Sequence, residues 1–519
     1  MTLASERKET RGRRRRQARQ EPAEAPGPKQ LPWRRLANPF PPMEPLSADQ
    51  VEEIHLASLS ILEEFGIEVM SGQARALFRA AGAEVDEASG IVRIDRGLIL
   101  DLISTAPSSF ALTPRNPERA LVLGGNNVNF GFVSGPPNVH DRVRGRRPGN
   151  FADYCELVKL AQSFNIVHFL GNQALAPIDL PANTRHLDTY RANLIYTDKI
   201  FHSVSIGAGR VRDSIELLAI ARGLDIEDLA ASPSAITNIN VNSPRKLDDA
   251  MADGAMQMAE LGQAVIVTPF TLMGAMTPVS MAAALAQQNA EALLGIALTQ
   301  LVRPGAPVVY GGFTSNVDMR SGAPAFGTPE NAKANMAGGQ FARRYGLPYR
   351  TSACNASNAA DAQAVYETQF ALWGAVMGHG NVTYHAAGWL EGGLVASFEK
   401  IVIDVECLQA MSELFQPIVV NEAELGLDAH REIAPGGHFF GCAHTMERYR
   451  GAFYEPILSD WQNSENWQLA GAKTATERAT EIWQSTLESY EAPPLAKDRL
   501  EAIDAYIAKR KEAIGGNEP

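Results

Sequence analysis

The sequence predicts an α/β protein built around a closed (β/α)8 barrel of the TIM type. Roughly eight short apolar runs alternate with alanine-rich helical patterns, which favours a closed parallel barrel over an open sheet. The nucleotide-binding patterns GxGxxG and GxxxxGK(S/T) are both missing. A chain of 519 residues, 45% of them hydrophobic, can bury a large core. We expect an N-terminal α/β cap at residues 42–120, the barrel at 121–443 and a C-terminal helical extension at 444–519.

The N-terminal part begins with a basic and proline-rich segment, residues 1–41, that has almost nothing apolar to bury. This composition predicts a disordered tail, while contact with RNA or a membrane surface, or a targeting role, stays open. In the cap, Ser47 is the expected N-cap of a helix that ends at Gly66. Residues 71–107 are expected to form a helix, a short strand at 91–94 and a second helix.

The barrel strands are expected at eight apolar runs. They read IVHFLGN, IFHSVSIG, AITNINVNSP, AVIVTPF, APVVYGGFTS, YRTSACNAS, VTYHAAGWL and PIVVNEA. Because a barrel site lies where the parallel strands end, the residues just after each run are candidates for function. Beyond residue 444, patterns such as ATERATEIWQSTLESY predict helices that pack on the barrel or on a neighbouring subunit.

Charge, hydropathy and cysteine use argue against several classes of protein. The net charge of −12 argues against nucleic-acid binding by the folded body, since neutralising phosphates requires a basic surface. No stretch approaches the roughly eighteen consecutive apolar residues of a membrane span, and no apolar core follows the basic start as in a secretory signal. The four cysteines form no CxxC pair. We therefore expect a cytoplasmic protein that binds neither nucleic acid nor membranes.

Several longer motifs are more specific than these patterns. They are GRRPGNFADY (145–154), NVNSPRKLD (240–248), TPFTLMGAMTPV (268–279), QQNAEALLGIALTQLVRPGAPVVYGGFTSNVDMRSGAPAFGTPE (287–330), DAQAVYE (361–367), HAAGWLEGGLVASFEK (385–400) and APGGHFFGCAHT (434–445). In these motifs the chain resembles the trimethylamine methyltransferase family of corrinoid-dependent enzymes. The resemblance implies a barrel fold, a methylamine- or betaine-type substrate, a homo-oligomer and a corrinoid carried by a separate protein. The chain accordingly lacks the corrinoid-binding motif DxHxxG.

One departure from the family bears on the substrate. Members that act on trimethylamine carry pyrrolysine in the segment that corresponds to about Ser352–Asp361, where this sequence reads SACNASNAAD, with Cys354 or a neighbour at that position. The resemblance implies that the pyrrolysine imine captures a neutral amine. A quaternary ammonium needs no such help, because its nitrogen is already cationic. We therefore expect methyl transfer from a quaternary amine, glycine betaine or a related betaine, to the Co(I) corrinoid of a partner protein.

A quaternary ammonium has no N–H to donate, so aromatic faces and dispersion must hold it. The candidate rings in and beside the family motifs are Phe313, Tyr384, Trp389 and Phe398. Trp389 is favoured because it follows the predicted strand VTYHAAG, where barrel sites lie. Each ring could equally belong to the core.

Polar residues near the predicted strand ends complete the candidate site. His385 and Glu391 are the candidate catalytic residues: the first would orient the substrate or contact the corrin ring, and the second would place negative charge near the cation. The plainer interpretation of His385 is a structural imidazole, and that of Glu391 is a helix cap or a salt bridge. Four amides could bind a substrate carboxylate or satisfy loop backbone, and they are Asn240, Asn242, Asn355 and Gln363.

The motif APGGHFFGCAHT predicts a loop over the barrel mouth. The residues expected to contact the corrinoid there are Gly436, Gly437, His438 and His444. With Cys442, the two histidines could also bind a metal, so a metal-dependent barrel hydrolase or lyase is an alternative, although the spacing matches no standard zinc signature. A second alternative is a non-catalytic quaternary-amine binding protein. The favoured function needs no metal bound by this chain.

Overall fold

The computed structural model describes residues 28–171 and 173–515. The strands are β1 Leu36–Ala37, β2 Ile67–Val69, β3 Glu84–Asp86, β4 Ile91–Arg93, β5 Phe110–Leu112, β6 Leu121–Leu123, β7 Asn127–Phe132, β8 Asn138–Asp141, β9 Gly145–Pro148, β10 Phe201–His202, β11 Ala235–Ile239, β12 Lys246–Leu247, β13 Ala264–Val267, β14 Phe270–Met273, β15 Val308–Gly311, β16 Phe313–Val317, β17 Pro324–Ala325, β18 Tyr349–Ser352, β19 Val382–Ala387, β20 Trp389–Leu390 and β21 Val395–Ser397.

The helices of the described residues are α1 Ala48–Ser60, α2 Gly72–Ala80, α3 Arg96–Ser104, α4 Phe151–Ser163, α5 Arg185–Tyr196, α6 Ala208–Arg222, α7 Ile226–Ala231, α8 Asp249–Glu260, α9 Met281–Val302, α10 Pro329–Arg344, α11 Ala362–Met377, α12 Phe398–Leu414, α13 Glu422–Leu425, α14 Leu427–Glu432, α15 Ala443–Arg448, α16 Ser464–Leu469, α17 Ala475–Glu488 and α18 Lys497–Gly515. None of these helices combines the length and the hydropathy that crossing a membrane requires.

The predicted tail is only partly described. Residues 1–27 lie outside the described residues. Residues 28–41 pack against the body of the protein, in contrast to the disorder expected from the sequence. Strand β1 pairs antiparallel with β7, with Leu36 opposite Val128, and Leu36 is buried. This short segment therefore carries apolar surface that folding buries, although its basic and proline-rich surroundings hide that signal in the sequence.

The centre of the fold is a curled sheet of eight strands in the order β1, β7, β19, β18, β15, β13, β11, β10. From β7 to β10, each strand pairs in parallel with its neighbour. The edge strand β1 pairs antiparallel with β7. Parallel bridges from Phe169 to Gly131 and to Ile200 link the two ends of the parallel strands. Because helices alternate with these strands along the chain, the protein has a mixed α/β fold.

Seven of the eight predicted runs contain strands or, at Phe169, strand bridges. The eighth, PIVVNEA at 417–423, is wrong: it forms no strand, and its Ile418 is 91% exposed. The missing parallel strand is β7, NVNFGF, which the sequence did not reveal because its apolar residues alternate with asparagine and glycine. Asn129 fits there because its side chain donates to the Asn381 carbonyl at 2.8 Å.

The first helix of the N-terminal layer begins as predicted after Ser47, whose side chain accepts a hydrogen bond from the Gln50 amide in a capping box. Helix α1 continues into a π-helical turn, Ile61–Phe65, which is followed by Gly66. Gly66 has φ 67°, and a Cβ there would lie 2.6 Å from the Val92 carbonyl oxygen. Strands β2, β4 and β3 form a small sheet that β12 joins in parallel with β2, so this layer is tied to the central body.

Buried carboxylates attach the C-terminal helices to the helices around the central sheet. Glu399 of α12 accepts hydrogen bonds from the Thr480 hydroxyl and from Trp483 Nε1 on α17, both at 2.9 Å. Asp213 of α6 accepts one from the Tyr506 hydroxyl on α18 at 2.8 Å. The C-terminal helices therefore pack on the outer helical layer. The sequence alone left open whether they pack there or on a neighbouring subunit.

A buried ion pair on α12 supports the segment that follows β19. The Lys400 ammonium contacts the Asp404 carboxylate and donates to the Thr368 hydroxyl at 2.9 Å, and both charged side chains are buried. The second Asp404 oxygen accepts a hydrogen bond from the Gly388 amide at 2.8 Å. Because Gly388 directly precedes Trp389, this pair holds the backbone next to a predicted site residue.

We expect Lys400→Met to destabilise the fold by about 3–5 kcal/mol, because it leaves the Asp404 charge buried without its counter-ion. Denaturant unfolding followed by circular dichroism measures the apparent free energy of unfolding. The control is Lys473→Met, which breaks the exposed Lys473–Glu481 pair and should cost about 1 kcal/mol or less. If Lys400→Met lowered the free energy of unfolding as little as the control does, the supporting role of the buried pair would be contradicted.

Candidate active site

A cavity of about 310 Å³ lies at the carboxyl ends of the parallel strands. Its volume is at the lower end of the range of small-molecule sites, about 300–1,000 Å³. The exposed residues Gly135 and Asn240 belong to its wall, so it reaches the surface. The described residues that line it are Ser134, Gly135, Asn238, Asn240, Met251, Phe270, Phe313, Arg350, Tyr384, His385, Trp389 and Gly393.

The direction of the strands brings these distant residues together. Ser134 follows β7, Asn240 follows β11, Phe313 comes shortly after β15, and His385 lies near the end of β19. Because these strands run parallel, their carboxyl ends lie on one side of the curled sheet. The cavity is therefore where the sequence placed the site.

Aromatic rings form much of the cavity wall. The ring centroids of His385 and Trp389 are 4.0 Å apart, and that of Phe313 lies 5.9 Å from His385. Phe270 packs against Phe313 at 4.9 Å. Trp389 Nε1 donates to the Asn355 carbonyl at 3.1 Å, which satisfies the polar atom of the indole. Rings arranged in this way can hold a cation that has no N–H donor.

Arg350 of β18 is the one charged side chain among the described residues that line the cavity. Its guanidinium carbon lies 4.9 Å from the Phe313 ring centroid and 4.8 Å from that of Tyr384. Nη1 donates to the Gly312 carbonyl at 3.2 Å, whereas Nε has no hydrogen-bond partner within the described chain. Burial lowers the pKa of Arg350 to about 10, so the side chain remains cationic at neutral pH.

His385 has a strained backbone. Its φ of 57° is unfavourable for a residue other than glycine, and the pairing of β19 with β7 shifts register between Thr383 and Ala387. Irregular pairing of this kind re-aims a side chain, here into the cavity wall. Burial, together with the charge of Arg350, holds the pKa of His385 well below its ordinary value, so the imidazole is neutral.

Five of the residues singled out from the sequence line the cavity. They are Asn240, Phe313, Tyr384, His385 and Trp389. The Tyr384 hydroxyl lies 2.6 Å from His202 Nε2, and this hydrogen bond holds the phenol in place. Burial lowers the pKa of His202 to about 4, so this imidazole is also neutral. The cavity thus combines neutral rings with one cation.

Two other candidates have partners away from the cavity lining. Phe398, predicted as part of the aromatic box, is buried at the start of α12 and packs on Trp483, with centroids 4.9 Å apart. Glu391, predicted to face the substrate cation, forms an ion pair with Arg146 in which Nε lies 3.0 Å from Oε1. The structure therefore favours the plainer interpretation of both side chains, a core ring and a salt bridge.

Three of the four candidate amides also lie outside the lining. Asn355 donates to the Trp389 carbonyl at 2.5 Å and so holds the backbone of that residue in place. Gln363 is exposed and donates to Glu367 at 2.8 Å. Asn242 is exposed, and its backbone forms hydrogen bonds with Lys246. Local partners thus occupy the side-chain NH2 groups of Asn355 and Gln363, and a sequence pattern does not specify such partners.

The loop predicted to contact the corrinoid does not contribute to the cavity wall. Its exposed residues include Gly436, Gly437 and His438. His444 Nε2 lies 3.1 Å from the Ala423 carbonyl, and Cys442 Sγ lies 3.3 Å from the Thr445 hydroxyl. Across the part of the chain that the structure describes, no three His, Cys, Asp or Glu side chains gather as a metal site. The His-x3-Cys-x-His string is therefore not arranged as a ligand set.

Sequence reasoning missed several lining residues. Arg350 stands in the run YRTSACNAS, and a charged residue within a strand expected to be buried is a usable signal of function. Phe270 ends the run AVIVTPF and could have been included as a strand-end ring. Ser134 and Gly135 follow β7, which the sequence did not reveal as a strand, so nothing in the sequence located them.

Comparison with known proteins indicates a methyltransferase. The family model for trimethylamine methyltransferase (MTTB) matches residues 11–515. The glycine betaine methyltransferase of Desulfitobacterium hafniense is 35% identical over 472 residues, which cover 91% of this chain and 98% of that protein. The trimethylamine methyltransferase MttB of Methanosarcina barkeri is 28% identical over 491 residues, which cover 91% of this chain and 96% of that protein.

A solved structure shares the fold. The crystal structure of the hydroxylamine MtmB complex has a TM-score of 0.50 and 11% sequence identity, and the match covers 87% of this chain and 96% of that one. This likeness concerns the fold alone. Membership is shown by the family match over nearly the whole chain and by the 35% identical relative. The chain therefore belongs to the trimethylamine methyltransferase (MTTB) family.

Proposed function

We propose that this chain moves a methyl group from a quaternary amine, glycine betaine or a related betaine, to the Co(I) corrinoid of a separate partner protein. The observation that carries the proposal is the cavity, in which aromatic rings surround a binding space without a carboxylate among the described lining residues. The family, and the relative named as a glycine betaine methyltransferase, support the same class of substrate.

We further infer that the curled sheet is a closed (β/α)8 barrel, with the segment around Phe169 as its second strand. The parallel bridges of Phe169 to Gly131 and Ile200, and the order of the other strands, support this inference. A closed barrel would also account for the position of the cavity, because barrel sites lie at the carboxyl ends of the strands.

Transfer from a quaternary ammonium depends on positioning more than on acid–base catalysis. The nitrogen of the departing tertiary amine is neutral, so no side chain has to protonate it. Trp389 and Phe313 would hold the ammonium group and keep water from the reacting methyl. When its carrier protein is docked, the corrinoid would supply the Co(I) nucleophile. Exposed Gly135, where a Cβ would meet no atom within 4 Å, leaves room at the rim for that approach.

The segment at the expected pyrrolysine position supports a donor that needs no imine. Cys354 is buried, and burial raises the pKa of its thiol, so the side chain stays neutral. Asp361 caps α11 by accepting hydrogen bonds from the amides of Gln363 and Ala364. These side chains therefore serve packing and capping, and they offer no electrophile to a neutral amine.

Purified protein is expected to methylate a Co(I) corrinoid from glycine betaine and not from trimethylamine. The visible absorbance of the corrinoid, free or on a carrier protein, reports methylation. Proline betaine, carnitine, γ-butyrobetaine and choline complete the set of donors. Methylation from trimethylamine, or from no quaternary amine, would contradict the proposal. Binding without transfer would indicate a quaternary-amine binding protein instead.

Trp389→Leu is expected to weaken glycine betaine binding about 2- to 30-fold, because one cation–π contact is worth roughly 0.5–2 kcal/mol. Isothermal titration calorimetry measures the affinity. The matched control is Trp483→Leu, since Trp483 is equally buried and also donates through Nε1 but packs on Phe398, outside the lining. An equal loss of affinity in both folded variants would argue against a role for Trp389 at the site.

Glycine betaine affinity is expected to change little between about pH 6 and 8, the window in which an ordinary histidine titrates. Because the pKa of His385 lies well below its ordinary value, the ring is neutral in this window and gains a proton only when the pH falls through that lowered pKa. Protonation would then place a second cation in the cavity and weaken binding. Calorimetry across this range that shows a transition near pH 6.5, abolished by His385→Asn, would disprove the neutral ring.

A further inference from the structure

The cavity contains a fixed cation although the proposed substrate also carries one. Arg350 is only 2% exposed, and none of the described residues that line the cavity is acidic. Two like charges in a poorly solvated site repel each other much more strongly than in water. A ligand that carries an ammonium group alone would therefore bind this cavity poorly, unless it also supplied negative charge.

Arg350 has no anionic partner among the residues that the structure describes. Its side chain donates to the Gly312 carbonyl and lies over the rings of Phe313 and Tyr384, and among the described residues no carboxylate forms an ion pair with it. A buried charge is costly unless it is paired, and a guanidinium is shaped to bind a carboxylate through two parallel hydrogen bonds. The unpartnered Nε belongs to the set of donors that such a carboxylate would use.

The proposed cation site at Trp389 and the guanidinium of Arg350 both lie close to the Phe313 ring. The Phe313 centroid lies 6.5 Å from that of Trp389 and 4.9 Å from the guanidinium carbon of Arg350. A compact zwitterion could therefore reach the aromatic wall with its ammonium group and the guanidinium with its carboxylate. Among the four amides suggested by the sequence, only Asn240 lines the cavity and could assist.

We propose that Arg350 determines the substrate class, by pairing with the carboxylate of a betaine while the aromatic wall holds its trimethylammonium group. This inference rests on the proposed function and deepens it. The site selects zwitterions in which a short spacer joins a quaternary ammonium to a carboxylate. It discriminates against choline, which has the same ammonium group without the carboxylate.

The test is equilibrium binding to the full chain by calorimetry, without corrinoid. The probes are glycine betaine, its carboxamide and choline, which share the trimethylammonium group and differ in the carboxylate. Wild-type protein is expected to bind glycine betaine at least about tenfold more tightly than the other two probes. Arg350→Met should weaken glycine betaine binding about 100-fold and leave choline binding unchanged or tighter. The glycine betaine affinity of Arg350→Lys should lie between those of the wild type and Arg350→Met, because lysine keeps the positive charge without the planar guanidinium group.

The matched control is Arg222→Met. Arg222 is partly buried, its side chain contacts the Ser234 hydroxyl, and it does not line the cavity. This variant should bind glycine betaine like the wild type, and thermal melting checks that each variant is folded. Equal binding of the three probes by the wild type would overturn the inference even if no Arg350 variant folds. A folded Arg350→Met that binds glycine betaine within about threefold of the wild type would overturn it too.

Failure of this inference and failure of the proposed function give different results. Methyl transfer from choline as efficient as from glycine betaine would overturn the role of Arg350 and leave the methyltransferase proposal standing. Glycine betaine binding that depends on Arg350, without methyl transfer to any corrinoid, would support the carboxylate site and overturn the methyltransferase proposal.

Discussion

The candidate site depends on the parallel pairing of the central strands. Parallel pairing brings the carboxyl ends of β7, β11, β15, β18 and β19 to one side, where residues in and after these strands form the cavity wall. The curled strands also approach closely. A Cβ on Gly311 would lie 2.3 Å from Thr268 Oγ1, and one on Gly131 would lie 2.2 Å from the Phe169 ring. Small residues at these positions are therefore a condition of the sheet geometry on which the site is built.

Burial then determines the charges in the cavity. Desolvation penalises a charged imidazole, so His202 and His385 are neutral, whereas a guanidinium has so high an intrinsic pKa that Arg350 stays protonated. The rings of Phe313 and Tyr384 lie close to that guanidinium and partly compensate for its lost hydration. The result is a poorly solvated space with one fixed positive charge, which suits a ligand that carries charges of both signs.

Structure outside the cavity maintains its geometry. The strained φ of His385 persists because the neighbouring backbone is fixed on both sides. On one side, β19 pairs with β18 and β7. On the other, the Asp404 carboxylate accepts the Gly388 amide, and α12, which carries Asp404, is covered by α17 through Glu399. The C-terminal helices thus contribute to the site indirectly, by holding the helix behind it.

The sequence by itself determined the α/β class, most of the parallel strands and the side of the sheet where the site lies, because alternating apolar runs and helical patterns permit few arrangements. It also singled out Trp389, His385 and Phe313, which line the cavity because residues near strand ends converge. Only the tertiary structure decided that β7 is a central strand and that 417–423 is exposed, because burial depends on the neighbours that each run meets. The case of Arg350 is similar. Whether a buried cation is paired depends on every element packed around it, and no local pattern of residues contains that information.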